Sequence, residues 1–489
     1  MSDHEFKWAE GTLGQGFSSY AAHLGVKPKD AVFINSLVVN PAGPTWRMTA
    51  TDDLEGISTG FVLGVSGPGA TALHFPLSRQ QQSYVQTYLS DGGTLKSVEP
   101  VGVGRRYPEA SIITALNAQI HNPETRDLLS GKVLVNSYVT EEVEHLAGMA
   151  GARTLMDNST FLKFVGKEYL HKIAADEGFD VPPGVVISQP DETAAKVSEL
   201  WQTINRLGLD PDHTKVWIKP TSLSGGQGVF SRPGADENSV STAFFSIAQA
   251  YKDCGFYEDN ESPVNASRPF SGIRRFMPIV MEVDVSRIPG AVRKLDDVAI
   301  NAIISDAGVT YVESTPFDAP DGEYVGSRLP QKEDEKLVHP AKVAADKLMN
   351  RMWREGYRGY LGVDAVMVEQ TNGEIKAYLN DINARLCGAT PLIGLSHKAE
   401  EKLGFRPHAY STKMKLALPE GCTDAFSAVT ERLDGYLYRG AETGYTGIVP
   451  TVVDVPPGSG KISVRIAVIG KDAAHLQKMR SFLGFGNGH

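Results

Sequence analysis

The stretch "VDAVMVEQTNGEIKAYLNDINAR", Val363 to Arg385, constrains the fold of this chain more than any other. Two mainly apolar runs flank Asn372 and Gly373, a pair that closes a two-residue hairpin readily because both residues tolerate the positive φ of a type I′ turn. Such a turn sets Thr371 against Glu374, Val368 against Ala377 and Asp364 against Asp381. Asn383 lies two residues further on and shares their face, with Arg385 next along it. Like charges opposed across a ladder are destabilising, so the two carboxylates need an offset. A register slipped by one residue would leave them as solvated strand ends. In register, a divalent cation between them removes the repulsion. Mg²⁺, or Mn²⁺ in its place, takes hard oxygen ligands, which two carboxylates and the Asn383 amide oxygen supply. Arg385 is then a fixed cation for an anionic substrate oxygen.

Mg²⁺ held by one or two carboxylates usually carries substrate phosphates too, which asks for a phosphate cradle elsewhere. "VWIKPTSLSGGQGVF" provides one: Lys219 ends a strand, Pro220 stops the ladder, and Ser222, Ser224, Gly225, Gly226 and Gly228 form a turn. Glycines allow backbone N–H groups to approach phosphate oxygens, and the lysine adds a point charge. Surface turns of this composition also occur without a ligand. The chain has no G-x-x-x-x-G-K-[ST], so this is not a P-loop, and "GVSGPGA" near Gly64 lacks G-x-G-x-x-G spacing and reads as a turn.

A chain of 489 residues exceeds one ordinary core and implies three or four units. Its net charge of -10 argues against a nucleic-acid partner. Cys254, Cys387 and Cys422 are too scattered for a disulfide framework or metal cluster, which fits a reducing cytoplasm. No apolar run approaches the roughly 20 residues that span a bilayer, and the polar, acidic start lacks a signal-peptide core, so a soluble intracellular protein with no membrane partner is expected. Residues 30–150 mix short apolar strands ("AVFINSLVV", "GFVLGVSG", "KVLVNSYV") with the helical "EASIITALNAQIH", an α/β pattern. A helix is expected over "LKFVGKEYLHKIAADEG", stopped by Gly178, and strands over "KVWIK", "RRFMPIVMEVDVSRI" and "DVAINAIIS". Leu337, Ala341, Ala345, Leu348 and Met352 share one helical face. From about Pro419 a strand "KISVRIAVIG" and a closing helix read as a small α/β cap.

The order and spacing of Lys167, the strand lysine Lys219 with its glycine loop, "RRFMPIVMEVDV" and the strands ending "DINAR" resemble the ATP-grasp superfamily over residues 156 to 400. That family's Glu-x-Asn-x-Arg is here Asp381-Ile382-Asn383-Ala384-Arg385, with the carboxylate one methylene shorter. The resemblance implies an α/β (α+β) ATP-grasp fold: an N-terminal α/β domain (1–155), a lobe with the glycine loop (156–272), a lobe with the metal strands (273–415) and a C-terminal cap (416–489). It implies ATP and Mg²⁺ as ligands. Lys167, Lys219 and the Ser222–Gly228 loop would meet the ATP phosphates, Phe276 and Met277 the adenine hinge, and Glu282 the adenosine. Asp364, Asp381 and Asn383 would hold Mg²⁺, with Arg385 at the transferring phosphoryl group. Arg274 and Arg275 are open between a ligand and surface salt bridges.

The resemblance further implies an ATP-dependent ligase: a phosphoryl group activates a carboxylate as an acyl phosphate, an amine displaces phosphate, and no enzyme nucleophile is needed. Positioning and charge neutralisation by the metal, Lys219 and Arg385 would carry the rate. "FINSLVVNPAG", "VLVNSYVTEEVEHLAGMAG" and "GYTGIVP" are similar to pheganomycin-type peptide ligases, which points to an amino-acid-like acid, an amine or peptide partner and a specialised peptide product. A homodimer is compatible with this. Transfer to a carrier-protein thiol and a nucleotide-binding module without turnover are the alternatives. A bicarbonate-using carboxylase is disfavoured by the lack of a biotin-carrier Met-Lys-Met segment.

Overall fold

Three β-sheets organise the protein, seen in a computed structural model that describes residues 20–34, 69–74, 77–89, 92–98, 112–136, 139, 141–220, 230–233, 236, 238, 278–319, 324–422, 424–454 and 460–484. The first sheet comprises β1 (Ala31–Ile34), β2 (Thr71–His74), β3 (Thr94–Ser97), β4 (Val133–Asn136) and β5 (Arg153–Thr154), all parallel, in the order β3-β2-β1-β4-β5. Parallel sheets need cover on both faces. Strand alternation supplies it: Val32, Ile34, Leu73 and Leu134 pack with residues of helices α1 (Ile112–Gln119) and α2 (Glu141–Ala150). Ala31, Phe33, Ala72 and Val135 face the other way, into a core shared with Phe426, Val429, Val464 and Val468 near the C-terminus. Tyr84 Oη donates to the Tyr438 carbonyl at 3.1 Å and ties the two ends of the chain together. The "GFVLGVSG" strand lies outside the described residues.

The second sheet is antiparallel, ordered β6-β9-β7-β8, from β6 (Gly184–Ile187), β7 (Lys215–Pro220), β8 (Phe230–Pro233) and β9 (Ile279–Val283). The helix expected from 162 instead begins as α3 (Glu168–Glu177), with Lys167 at its N-cap and Gly178 ending it in the left-handed region at φ 68°. Gly166 explains the late start, since glycine in a helix interior costs about 1 kcal/mol. The next helix, α4 (Thr193–Arg206), buries Val197, Leu200 and Ile204.

The third sheet has nine strands: β10 (Ala291–Lys294), β11 (Asp297–Ser305), β12 (Gly308–Asp318), β13 (Gly326–Arg328), β14 (Gly359–Gln370), β15 (Ile375–Asn383), β16 (His408–Ala417), β17 (Gly447–Asp454) and β18 (Lys461–Gly470). They run β10-β14-β11-β12-β13-β16-β18-β17, with β15 on the other edge of β14. Helix α5 (Glu335–Arg354) lays Val338, Ala341, Ala345, Leu348 and Met352 in one core with Val298, Ile300, Leu361, Val363 and Leu379 of the strands. The expected C-terminal strand "KISVRIAVIG" forms as β18, which joins this sheet through β16 and pairs with β17 on its other side. Helices α6 (Thr390–Leu403), α7 (Ala425–Leu433) and α8 (Ala473–Phe482) accompany them. No described helix is long and apolar enough to cross a membrane.

Candidate functional site

The β14–β15 hairpin brings Asp364 opposite Asp381, by a route the sequence reading did not foresee. The turn is not type I′. Gln370 N–H donates to the Glu374 carbonyl and Gly373 N–H to that of Gln370, so three residues form the loop. Only Gly373 takes positive φ, 80°, as in a loop that ends on a left-handed residue. Val368 therefore pairs with Lys376, one residue away from the expected Ala377. A bulge then inserts Asn380 between the Ala365–Leu379 and Asp364–Asp381 pairs, which shifts the register by one. The two departures cancel at the aspartates.

The offset for the facing acids is visible in the surrounding side chains. Lys167 Nζ lies 3.2 Å from Asp381 Oδ1, reaching across from the N-terminus of α3. Asn383 Nδ2 donates to Asp364 Oδ2 at 3.0 Å, and Arg385 donates to Asn383 Oδ1 at 2.8 Å and to the Leu386 carbonyl at 3.2 Å. Even so, burial, then Asp381 and Asp297, push Asp364 up to about 7 against the pull of Arg385 and Asn383. Asp297 opens the neighbouring strand β11. Burial raises its carboxyl to about 6 although Lys294 Nζ sits 2.9 Å away, and its buried Oδ1 has no hydrogen-bond partner. Asp364 and Asp297 thus hold their protons to higher pH than ordinary carboxylates even with Lys167, Arg385 and Lys294 beside the three acids.

The sheet floor beneath them is polar and fully hydrogen-bonded. Asn301 receives Tyr360 Oη at 3.1 Å and the Cys387 thiol at 3.2 Å on its Oδ1, and its Nδ2 points to the Ala299 and Glu313 carbonyls. Burial raises the Cys387 thiol, which makes it a structural donor rather than a nucleophile.

Lys219, at the end of β7, forms a buried ion pair with Glu282 of β9, and His171 Nε2 lies 2.9 Å from the other Glu282 oxygen. Burial alone would raise Glu282; the Lys219 ammonium and His171 bring it below the usual carboxylate range. Glu282 was expected at an adenosine, and both its oxygens are here engaged by protein groups. Lys167 and Lys219 were expected at phosphates, and each is held by a carboxylate. Ser222, Ser224, Gly225, Gly226, Gly228, Arg274, Arg275, Phe276, Met277 and Cys254 lie outside the described residues.

His171, Asn301 and Asp297 escaped the sequence reading. A histidine one turn into an amphipathic helix carries no distinguishing signal, whereas Asn301 inside the apolar "DVAINAIIS" does: a polar residue amid a buried strand needs partners. Among the described residues no group of three or more His, Cys, Asp or Glu side chains converges to hold a metal unaided. The facing carboxylates of Asp364 and Asp381 with the Asn383 amide oxygen nevertheless form a hard-oxygen donor set, which fits a divalent cation that completes its shell from a ligand.

No protein-family profile matches the chain, and no curated protein matches it in sequence. Solved structures match its fold. The biotin carboxylase domain of the Hydrogenobacter thermophilus 2-oxoglutarate carboxylase, solved with MgADP, ADP and bicarbonate, gives a TM-score of 0.53 at 10% identity, over 93% of this chain and 89% of that one. Biotin carboxylase from Campylobacter jejuni, solved as a β-γ-ATP complex, gives 0.52 at 12% identity over 94% and 91%. The shared architecture is the ATP-grasp fold.

Proposed function

We propose that the chain is an ATP-dependent ligase that activates a substrate carboxylate and joins it to an amine. The observation that carries this reading is the pairing of Asp364 with Asp381 beside the cations Lys167 and Arg385. Such a site suits a polyanion delivered together with a divalent metal. The MgADP and ATP complexes of the fold relatives support nucleotide and Mg²⁺ as its ligands.

In this reading Asp364, Asp381 and Asn383 hold Mg²⁺, which when bound neutralises phosphate charge. Lys167, now paired with Asp381, would instead meet a phosphate oxygen of the bound nucleotide. Lys219 is directed by Glu282, itself fixed by His171, so its charge is placed before a phosphate arrives. Arg385, braced on the Asn383 amide, meets the carboxylate oxygen that accepts the phosphoryl group. The acyl phosphate is attacked by the amine, and amide, ADP and phosphate leave. No protein nucleophile takes part. The product class we infer is a peptide or peptide-like amide, on the similarity of the flanking segments to pheganomycin-type ligases.

The test is a screen of amino acids and short peptides, in pairs, for ATP-dependent phosphate release, followed by mass measurement of the product. Acid- and amine-dependent release with a condensed product is expected. Release that ignores the acid, that needs only bicarbonate, or that requires a carrier thiol would replace this reading.

A further inference from the structure

A second pair of like charges faces across the same sheet, and it is positive. Arg465 of β18 is the direct partner of Lys413 on β16. Arg465 is half-buried, and among the described residues no carboxylate lies within ion-pair distance of it. Its guanidinium instead lies 5.8 Å from the ring centre of Tyr324, in cation–π range. Tyr324 is itself fixed, its hydroxyl 2.6 Å from Ser327 Oγ and 3.3 Å from Ser411 Oγ. An arginine set beside a braced ring, with no ion-pair partner among the described residues, is a preorganised receptor for a planar anion.

Its placement ties it to the site described above. The residue against the fork is Gly388, where a Cβ would come within 3.2 Å of Arg465 Nη1. Gly388 follows Arg385 by three residues, a span of at most about 10 Å. The missing side chain keeps the approach to the fork open. Arg385 and the Asp364–Asp381–Asn383 group already serve the reacting end, so a charge held on a separate wall answers a separate anion.

Resting on the ligase reading, we infer that Arg465 is a specificity-determining residue that binds a carboxylate the reaction leaves intact. That group belongs to one of the two substrates: the far carboxylate of a diacid, or the free carboxylate of the amino acid or peptide that supplies the amine.

Calorimetric titration of the full chain, with ADP and Mg²⁺ present, tests this with four probes: succinate, succinamate, glycylglycine and glycylglycinamide. Wild type should prefer one free carboxylate over its amide by about tenfold or more, and the preferred pair identifies the substrate. Arg465→Gln should reduce that preference to about twofold or less. Arg465→Lys, which keeps charge and bulk, should fall between them. Gly388→Ala should weaken the preference while retaining every charge, a response that a purely structural arginine would not produce. ADP affinity should stay unchanged in all three variants. A wild type without preference, or a preference kept in Arg465→Gln, overturns the inference. Failure of ADP and Mg²⁺ to bind wild type would instead remove the ligase reading, independently of the carboxylate results.

Discussion

Lys167 and Asp381 are joined at 3.2 Å, the lysine at a helix N-cap and the aspartate on the edge strand of the large sheet. The ammonium neutralises one of the two facing acids, since Asp381 lies opposite Asp364. Lys167→Met should therefore destabilise the metal-free chain by about 1–3 kcal/mol near neutral pH, and less in acid, where Asp364 is protonated. Denaturant melts at both pH values measure the difference. Mg²⁺ with ADP should recover part of the loss; an equal ligand response in Lys167→Met and wild type would contradict the exchange of partners proposed for this lysine.

Asp364 gives a pH prediction with a definite sign. Its carboxyl is held up at about 7, above its unfolded value, so between the two the folded chain binds the extra proton and stability falls as pH rises. Asp364→Asn removes that penalty. The variant should be more stable than wild type above neutral pH in EDTA and converge with it towards about pH 4, with a slope of up to about 1.4 kcal/mol per pH unit. It should also lose most ATP turnover. Parallel stability–pH curves would show that the carboxylate is not strained.

The buried Lys219–Glu282 pair predicts asymmetric damage. Glu282→Ala leaves an ammonium without its carboxylate and should cost about 3–5 kcal/mol, whereas replacing both residues by apolar ones of similar size should cost less. Glu282 lies below the usual carboxylate range in the fold, so its stabilisation is present above the unfolded value and is lost as pH falls through the folded one. A double-mutant cycle in urea measures the coupling; additive single effects would exclude the pair.

Gly373 closes the hairpin at φ 80° with no neighbour within 4 Å of a Cβ, so only backbone strain opposes a side chain there. Gly373→Ala should cost about 1–2 kcal/mol, and Gly373→Asn less, because asparagine tolerates the left-handed region. Thermal melts would rank the three.

Much of this was readable from the chain itself. Short apolar runs located β11, β14, β15 and β18, and the helical stripe from Ala341 to Met352 located α5, because those patterns follow directly from what is buried. The hairpin turn was misread because Asn-Gly serves two loop lengths, and only the tertiary pairing of β14 with β10 and β11 selects one. Membership of β16, β17 and β18 in the large sheet is equally invisible, since a strand's own sequence does not name its neighbour. Arg465 went unnoticed for the same reason: its meaning comes from Lys413, Tyr324 and Gly388, which converge only in space.

Asn380, the extra residue of β15, has a last consequence. It separates what happens at the hairpin tip from what happens at its base, so the edge strand works like a gear with one added tooth. Were the chain to thread Asn380 into the ladder instead of leaving it as the extra residue, Asn380 would stand opposite Asp364, and Asp381 and Asn383 would rotate to the reverse side. The same turn would then carry a regular hairpin whose acids no longer meet.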